Sequence, residues 1–255
     1  MNNIKYFDHA ATTAVKEEVL KEMLPYFCIE YGNPSSIYGI GRKNKRAIEE
    51  ARRKVARAIN ANPNEIYFTG CGSESDNLAI KGIARNLKSK GNHIITSKIE
   101  HHAVIDSCKA LEKEGFEVTY LNVDKNGKIS LGELEKSIKS TTILISIMTA
   151  NNEIGTIQPI AEIGAIAKKH GVIFHTDSVQ AIGNILIDVK KMNIDSLSLS
   201  AHKFYGPKGV GALYVKNGIE FQKQQDGGHQ ENNKRAGTEN VAGIVGLRKS
   251  NRISI

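Results

Sequence analysis

Three short stretches hold side chains whose types and spacing could do chemistry. Gly70-Cys71-Gly72-Ser73-Glu74-Ser75 follows an apolar, β-prone run and leads into a segment of helical period. Small residues at such a junction let backbone N–H groups and a helix dipole approach a phosphate. The loop has neither a Walker spacing nor the third glycine of a dinucleotide fingerprint. Asp177, with Gln180 three residues on, follows the run Val172–Thr176. An acid there either caps the next helix or faces a cationic group on a ligand. Lys203 follows the run Ser196–Ser200, beside His202 and ahead of a Gly206-Pro207 turn. A lysine drawn partly out of water loses proton affinity and becomes a nucleophile toward a carbonyl carbon. Singly, each stretch has an ordinary reading: a strand–helix turn, a cap, a surface charge.

The elements that must position them alternate. Apolar, β-rich runs cover Glu65–Thr69, His93–Ser97, Glu117–Val123, Thr142–Met148, Val172–Thr176, Ser196–Ser200 and Val210–Val215. Helical periods lie over Lys43–Ile59, Ser75–Leu87, Ala103–Glu114 and Ile160–His170. Pro159 opens one of these, and Gly115 and Gly171 close two. Near-continuous apolar strands between helices predict an α/β fold with a mostly parallel, seven-stranded sheet covered on both faces. Ligands of such sheets sit outside the carboxyl ends of the strands, where all three stretches fall. A phosphate cradle, an acid for a ring nitrogen and a Schiff-base lysine are together the parts that a pyridoxal phosphate enzyme needs.

Composition narrows the field. A chain of 255 residues, 40% apolar and 24% charged, can bury a sizeable core. The net charge of +8 is spread without a basic block or basic–aromatic interleaving, which argues against nucleic acid. Cys28, Cys71 and Cys108 form no CxxC motif and no disulfide framework. No run is long enough for a membrane span, and Asp8 and His9 interrupt any leader-like stretch. A cytoplasmic, reduced location is expected. Two metal readings are weak. Asn122, Asp124, Asn126, Gly127, Ile129 and Glu133 fall on EF-hand loop positions, but the preceding residues alternate like a strand. Glu100, His101, His102 and Asp106 could offer donors, yet adjacent helical histidines point about 100° apart. No metal site is expected.

The sequence resembles the cysteine desulfurases of the NifS/IscS type, class-V aminotransferases in the fold-type I group of pyridoxal phosphate enzymes. The resemblance runs from Tyr6 to Gly246. It rests on FDHAATT at Phe7, YGNPSS at Tyr31, ESDNLAIKG at Glu74, ITSKIEHHAV at Ile95, NNEIGTIQP at Asn151, HTDSVQ at His175, SAHKFYGPKGVGALYV at Ser200 and GGHQENNKRAGTEN at Gly227. It implies Lys203 as the lysine that carries pyridoxal 5'-phosphate and Asp177 as the partner of the ring nitrogen. Gln180 matches the amide on the ring oxygen, and His101 the imidazole that stacks on the ring and moves protons. Asn152 matches an asparagine near the ring oxygen and substrate carboxylate. Gly72, Ser73, Ser200 and His202 match the phosphate site, with Ser73 standing where many relatives have Thr. Thr238 matches a threonine that reaches the partner subunit's phosphate, implying a homodimer. The implied reaction takes sulfur from L-cysteine, leaves L-alanine, and passes an enzyme-bound persulfide to a sulfur acceptor or iron–sulfur scaffold protein.

The resemblance also sets expectations about extent. In the family, a loop cysteine well beyond the equivalent of Thr238 carries the persulfide, and an arginine further on binds the substrate carboxylate. The chain ends 17 residues after Thr238. The reading therefore expects residues 1–13 as a segment shared with a small domain, 14–246 as the cofactor-binding large domain, and 247–255 as an aberrant tail with neither helical nor strand pattern. The small C-terminal domain is expected to be largely missing. The alternative that follows is a catalytically impaired, cofactor-binding remnant, because none of the three cysteines is placed to substitute. Tyr38 stands where relatives often have His.

Overall fold

The chain is described by a computed structural model that covers residues 5–250. Its seven strands are β1 Ile66–Thr69, β2 His93–Ser97, β3 Glu117–Leu121, β4 Thr142–Ser146, β5 Ile173–Asp177, β6 Ser196–Ser200 and β7 Gly211–Val215. They form one sheet in the order β1-β7-β6-β5-β4-β2-β3. β7 runs antiparallel to β1 and β6, and the other pairs are parallel. Six strands therefore point one way, and their carboxyl ends share one edge. The mostly parallel seven-stranded sheet expected from the sequence is the sheet observed.

Side chains alternate across the pleat. Ile94, Leu144, Leu213 and Val215 enter one apolar layer, while Ile95, Ile145, Ala212 and Tyr214 enter the other. Among the described residues, nine α-helical segments surround the sheet: α1 Glu17–Met23, α2 Pro25–Cys28, α3 Gly39–Ala58, α4 Gly72–Asn86, α5 His102–Lys113, α6 Leu131–Ser137, α7 Ile160–His170, the distorted single turn α8 Gln230–Asn233, and α9 Val241–Lys249. α4 and α5 cover the first layer; α3, α7 and α9 cover the second. Burying each large aliphatic side chain there contributes roughly 1.5–3 kcal/mol. α7 stops at Gly171, whose φ of +67° suits a residue without a Cβ. Inside α7, Gly164 lets the helix lie on the Met192 carbonyl, which a Cβ would meet at 1.9 Å.

The sequence reading of residues 247–255 needs correction at its start. α9, Val241–Lys249, is capped by Asn240, whose side chain accepts the Gly243 N–H. Leu247 is fully buried, and Arg248 pairs with Glu22 at 3.0 Å and Glu50 at 2.9 Å. The window beginning at Leu247 held less than one turn of a helix that starts six residues earlier, so its period was invisible. Residues 251–255 lie outside the described residues.

β3 is a strand where an EF-hand requires a helix. Asp124 Oδ1 accepts the N–H groups of Asn126 and Lys128 at 2.8 and 2.9 Å, closing a turn. The rings of His101 and His102 stand 6.4 Å apart and 68° inclined, an edge-on contact. Among the described residues, no helix is long and apolar enough to cross a membrane.

Candidate active site

Four strand ends meet in a cavity of about 450 Å³. β1 delivers the loop into α4; β4 is followed by Asn152; β5 ends in Asp177 and is followed by Gln180; β6 ends at Ser200 and is followed by His202 and Lys203. His101 enters from the N-cap of α5, where its Nδ1 accepts the Ala103 N–H at 3.1 Å. Nine of the ten residues singled out in the sequence thus line one pocket: Gly72, Ser73, His101, Asn152, Asp177, Gln180, Ser200, His202 and Lys203.

The tenth stands apart. Thr238 is exposed and borders a separate cavity of about 120 Å³ with Gly70 and Arg235. The loop after β1 is the wall between the two spaces. Arg235 secures that wall through Glu74 at 2.7 Å, and Glu74 in turn accepts the Gly70 N–H at 2.8 Å.

The N-terminal segment, assigned in part to another domain by the sequence reading, lines the pocket through Asp8, Ala10 and Ala11. Thr13 and the 202–205 segment exchange three bonds: Thr13 N–H and Oγ1–H each donate to the His202 carbonyl at 2.9 Å, and Tyr205 N–H donates to Thr13 Oγ1 at 2.7 Å. Gln180 Nε2 donates to the Ala10 carbonyl at 2.8 Å. Lys203 Nζ donates to the carbonyls of Ala10 and, at 3.0 Å, Ala11.

Burial tunes the charges. It lowers the Lys203 ammonium's proton affinity, against the raising effect of Asp177, Asp8 and Glu153. It raises Asp177, partly offset by the Val179 N–H at 2.9 Å and by His101 and Lys203. It also lowers His202, helped by Lys203 and Lys208. Glu100, just outside the cavity, is pushed up to about 8 by burial despite bonds from Ser97 and the Met148 N–H. A lysine and an acid of softened charge, facing one space, can bind a carbonyl compound that carries a cationic ring.

The residues fit pyridoxal phosphate on two further observations. Ser200 Oγ is buried without a hydrogen-bond partner at the amino end of α4. That end approaches so closely that a Cβ on Gly72 would lie 2.6 Å from Val179 Cγ2 and 3.4 Å from Ser200 Cβ. First-turn N–H groups and an orphaned hydroxyl make an anion cup, and the dipole of a fifteen-residue helix favours it.

Sequence reasoning missed Asp76, which also lines the cavity and is 1% exposed. It was detectable as a charge on the apolar stripe of α4, one and two turns before Ala79, Ile80 and Ile83. Cys108 is buried with its thiol pushed up to about 12 by burial, Cys28 is exposed outside the cavity, and Cys71 caps α4 at the cavity's lip.

Comparison with known proteins agrees with this geometry. The aminotransferase class-V family model matches residues 5–253, which takes in the residues read as an aberrant tail as far as 253. Cysteine desulfurase IscS of Clostridium botulinum strain Hall is 60% identical over 250 residues, covering 98% of this chain and 63% of that protein. Cysteine desulfurase IscS of Methanosarcina thermophila is 60% identical over 253 residues, covering 99% and 63%. The chain thus spans 63% of the length of these curated relatives. Among solved structures, a NifS-like protein superposes with a TM-score of 0.95 at 44% identity, covering 97% of this chain and 68% of that one. SspA in complex with cysteine gives 0.94 at 46% identity, covering 96% and 71%.

Proposed function

Because this chain belongs to the class-V aminotransferase family, we propose that its pocket binds pyridoxal 5'-phosphate and serves cysteine desulfuration. In that reaction the Cβ–Sγ bond of L-cysteine breaks, the sulfur passes to a thiolate as a persulfide, and the carbon takes up a proton to leave L-alanine. The observation that carries the reading is the convergence of Lys203, Asp177 and the amino end of α4 on one cavity. Relatives named cysteine desulfurase and a matching structure named with cysteine support the choice of substrate. The sulfur acceptor is a scaffold for iron–sulfur clusters or a thio-cofactor pathway protein.

When bound, the cofactor supplies an electron sink for bonds at the substrate Cα. The protein's part is placement and proton traffic. Gly72, Ser73, Ser200 and His202 would receive the phosphate at the helix end. Asp177 would pair with the ring nitrogen, Gln180 and Asn152 would face the ring oxygen side, and His101 would lie against the ring. Lys203, with its lowered proton affinity, would hold the cofactor covalently and accept or return a proton at Cα. Thr238, exposed beside the same loop, fits a contact with a partner subunit's phosphate in a homodimer. Three free thiols fit a reducing cytoplasm.

Titration of the chain with pyridoxal phosphate tests the reading. A visible absorption band should form in the native chain and be absent in Lys203→Ala, and the loaded chain should release alanine from L-cysteine in the presence of a thiol. A band without alanine would assign the chain to cofactor binding without turnover. A folded native chain that forms no band overturns the proposal.

A further inference from the structure

Three acids of the cavity wall are not used by the chemistry above; Asp8 and Glu153 are exposed, and Asp76 is buried. Asp76, on α4, is 1% exposed, and its Oδ1 has no hydrogen-bond partner. A donor atom from each of Asp76, Asp177 and His101 lies within 4.8 Å of the others. The groups facing Asp76 come from three elements. β5 contributes Asp177 and His175, the latter with Nε2 3.7 Å from Asp76 Oδ1; β6 contributes Ser198; the turn before α5 contributes Glu100. His175 supplies no compensating charge. It is fully buried, bonded to Ser146 Oγ at 2.9 Å and Ser198 Oγ at 3.0 Å, and burial lowers it to about 3. Among the described residues, neither aspartate forms an ion pair with a lysine or arginine.

Two carboxylates so close and so dry cannot both be ionised, and their surroundings decide which keeps the charge. Asp177 accepts a backbone N–H and feels His101 and Lys203. On Asp76 the Ser198 hydroxyl favours the charged form, but Oδ1 has no partner. We propose that Asp76 is a positioning residue, the buried acid that holds the proton of the Asp76–Asp177 pair and leaves Asp177 alone to present a negative charge to the ligand. Burial, the neighbouring Asp177 and Glu100 act in this direction, against the Ser198 hydroxyl. The consequence for a cationic ring rests on the proposed function, whereas the protonation itself does not.

The experiment uses the full chain without cofactor. A carboxyl that is protonated when folded and ionised when unfolded takes up one proton on folding, so it lowers the folding constant tenfold per pH unit. Urea unfolding of native and Asp76→Asn chains at several values between about pH 5 and pH 7 should show the variant losing about tenfold less per unit. Parallel slopes overturn the proposal. Should Asp76→Asn fail to fold, infrared spectra of the native chain with ¹³C-labelled aspartate, which leaves Glu100 silent, provide the second reading. A protonated-carboxyl band at neutral pH is expected, and its absence overturns the proposal. Neither measurement involves the cofactor, so a missing visible band and a missing proton are separate failures.

Discussion

Glu231 and the Asp76–Asp177 pair are buried carboxylates that the molecule treats in opposite ways. Glu231 meets Arg52 in a forked pair at 2.7 and 2.8 Å and also accepts the Phe68 N–H at 2.7 Å. Arg52 in turn donates to the Ile66 carbonyl at 2.6 Å. Both side chains are less than 10% exposed, and nearly every polar atom has a partner. That pair ties α3 to β1 and to the turn α8, where Glu231, Asn232 and Asn233 all hold positive φ. At the cavity, Asp76 on α4 and Asp177 at the end of β5 are as deeply buried, yet they have one backbone bond, the Ser198 hydroxyl and no ion pair with a lysine or arginine. The first arrangement holds the fold. The second keeps binding capacity in reserve, because a buried charge without a partner raises the gain from any ligand that supplies one.

The contrast can be broken most strongly at the satisfied pair. Glu231→Ala should destabilise the chain by about 3–5 kcal/mol in urea unfolding, since it strands a buried guanidinium and an amide. The double change Arg52→Met with Glu231→Leu should recover much of that loss, because no charge is left uncompensated. At the cavity the sign reverses. Asp177→Asn should leave the cofactor-free chain as stable as the native one or up to about 1 kcal/mol more stable, while weakening pyridoxal phosphate uptake at least tenfold by absorbance titration. A similar stability loss in both variants would erase the distinction.

A smaller effect concerns pH. Glu100 titrates near 8 when folded against an ordinary value of 4.5. Between those values the unfolded chain is ionised there and the folded chain is not, so folding takes up a proton and stability falls as pH rises. Glu100→Gln should flatten that decline in urea midpoints measured across the window. An unchanged decline would place the proton elsewhere.

The fold was legible where one element carried its own period. The seven strands and α3, α4, α5 and α7 each announce themselves by spacing, with boundaries shifted by a few residues; α3 begins four residues before the predicted Lys43. The end of α9 was not legible. α1 and α9 bury Val19, Met23 and Ala242 against each other, a contact between segments far apart in the chain that neither stretch reveals alone. The same limit applies at the site. Lys203, Asp177 and the β1–α4 loop were identifiable because each follows a strand, and strand ends converge in this architecture. The carbonyls of Ala10 and Ala11, which receive Lys203, carry no signature in their side chains.

Residue type and order therefore determined the chemistry on offer: an amine, an acid, an imidazole and a loop small enough to cradle an anion, set at the ends of strands that had to pair. Only the tertiary structure decided the charge state and reach of those groups. The depressed lysine, the crowded Asp76–Asp177 pair and the orphaned Ser200 hydroxyl arise from burial and from neighbours supplied by other segments. Desolvation acts through three-dimensional distance, and the spacing of residues along a chain does not contain it.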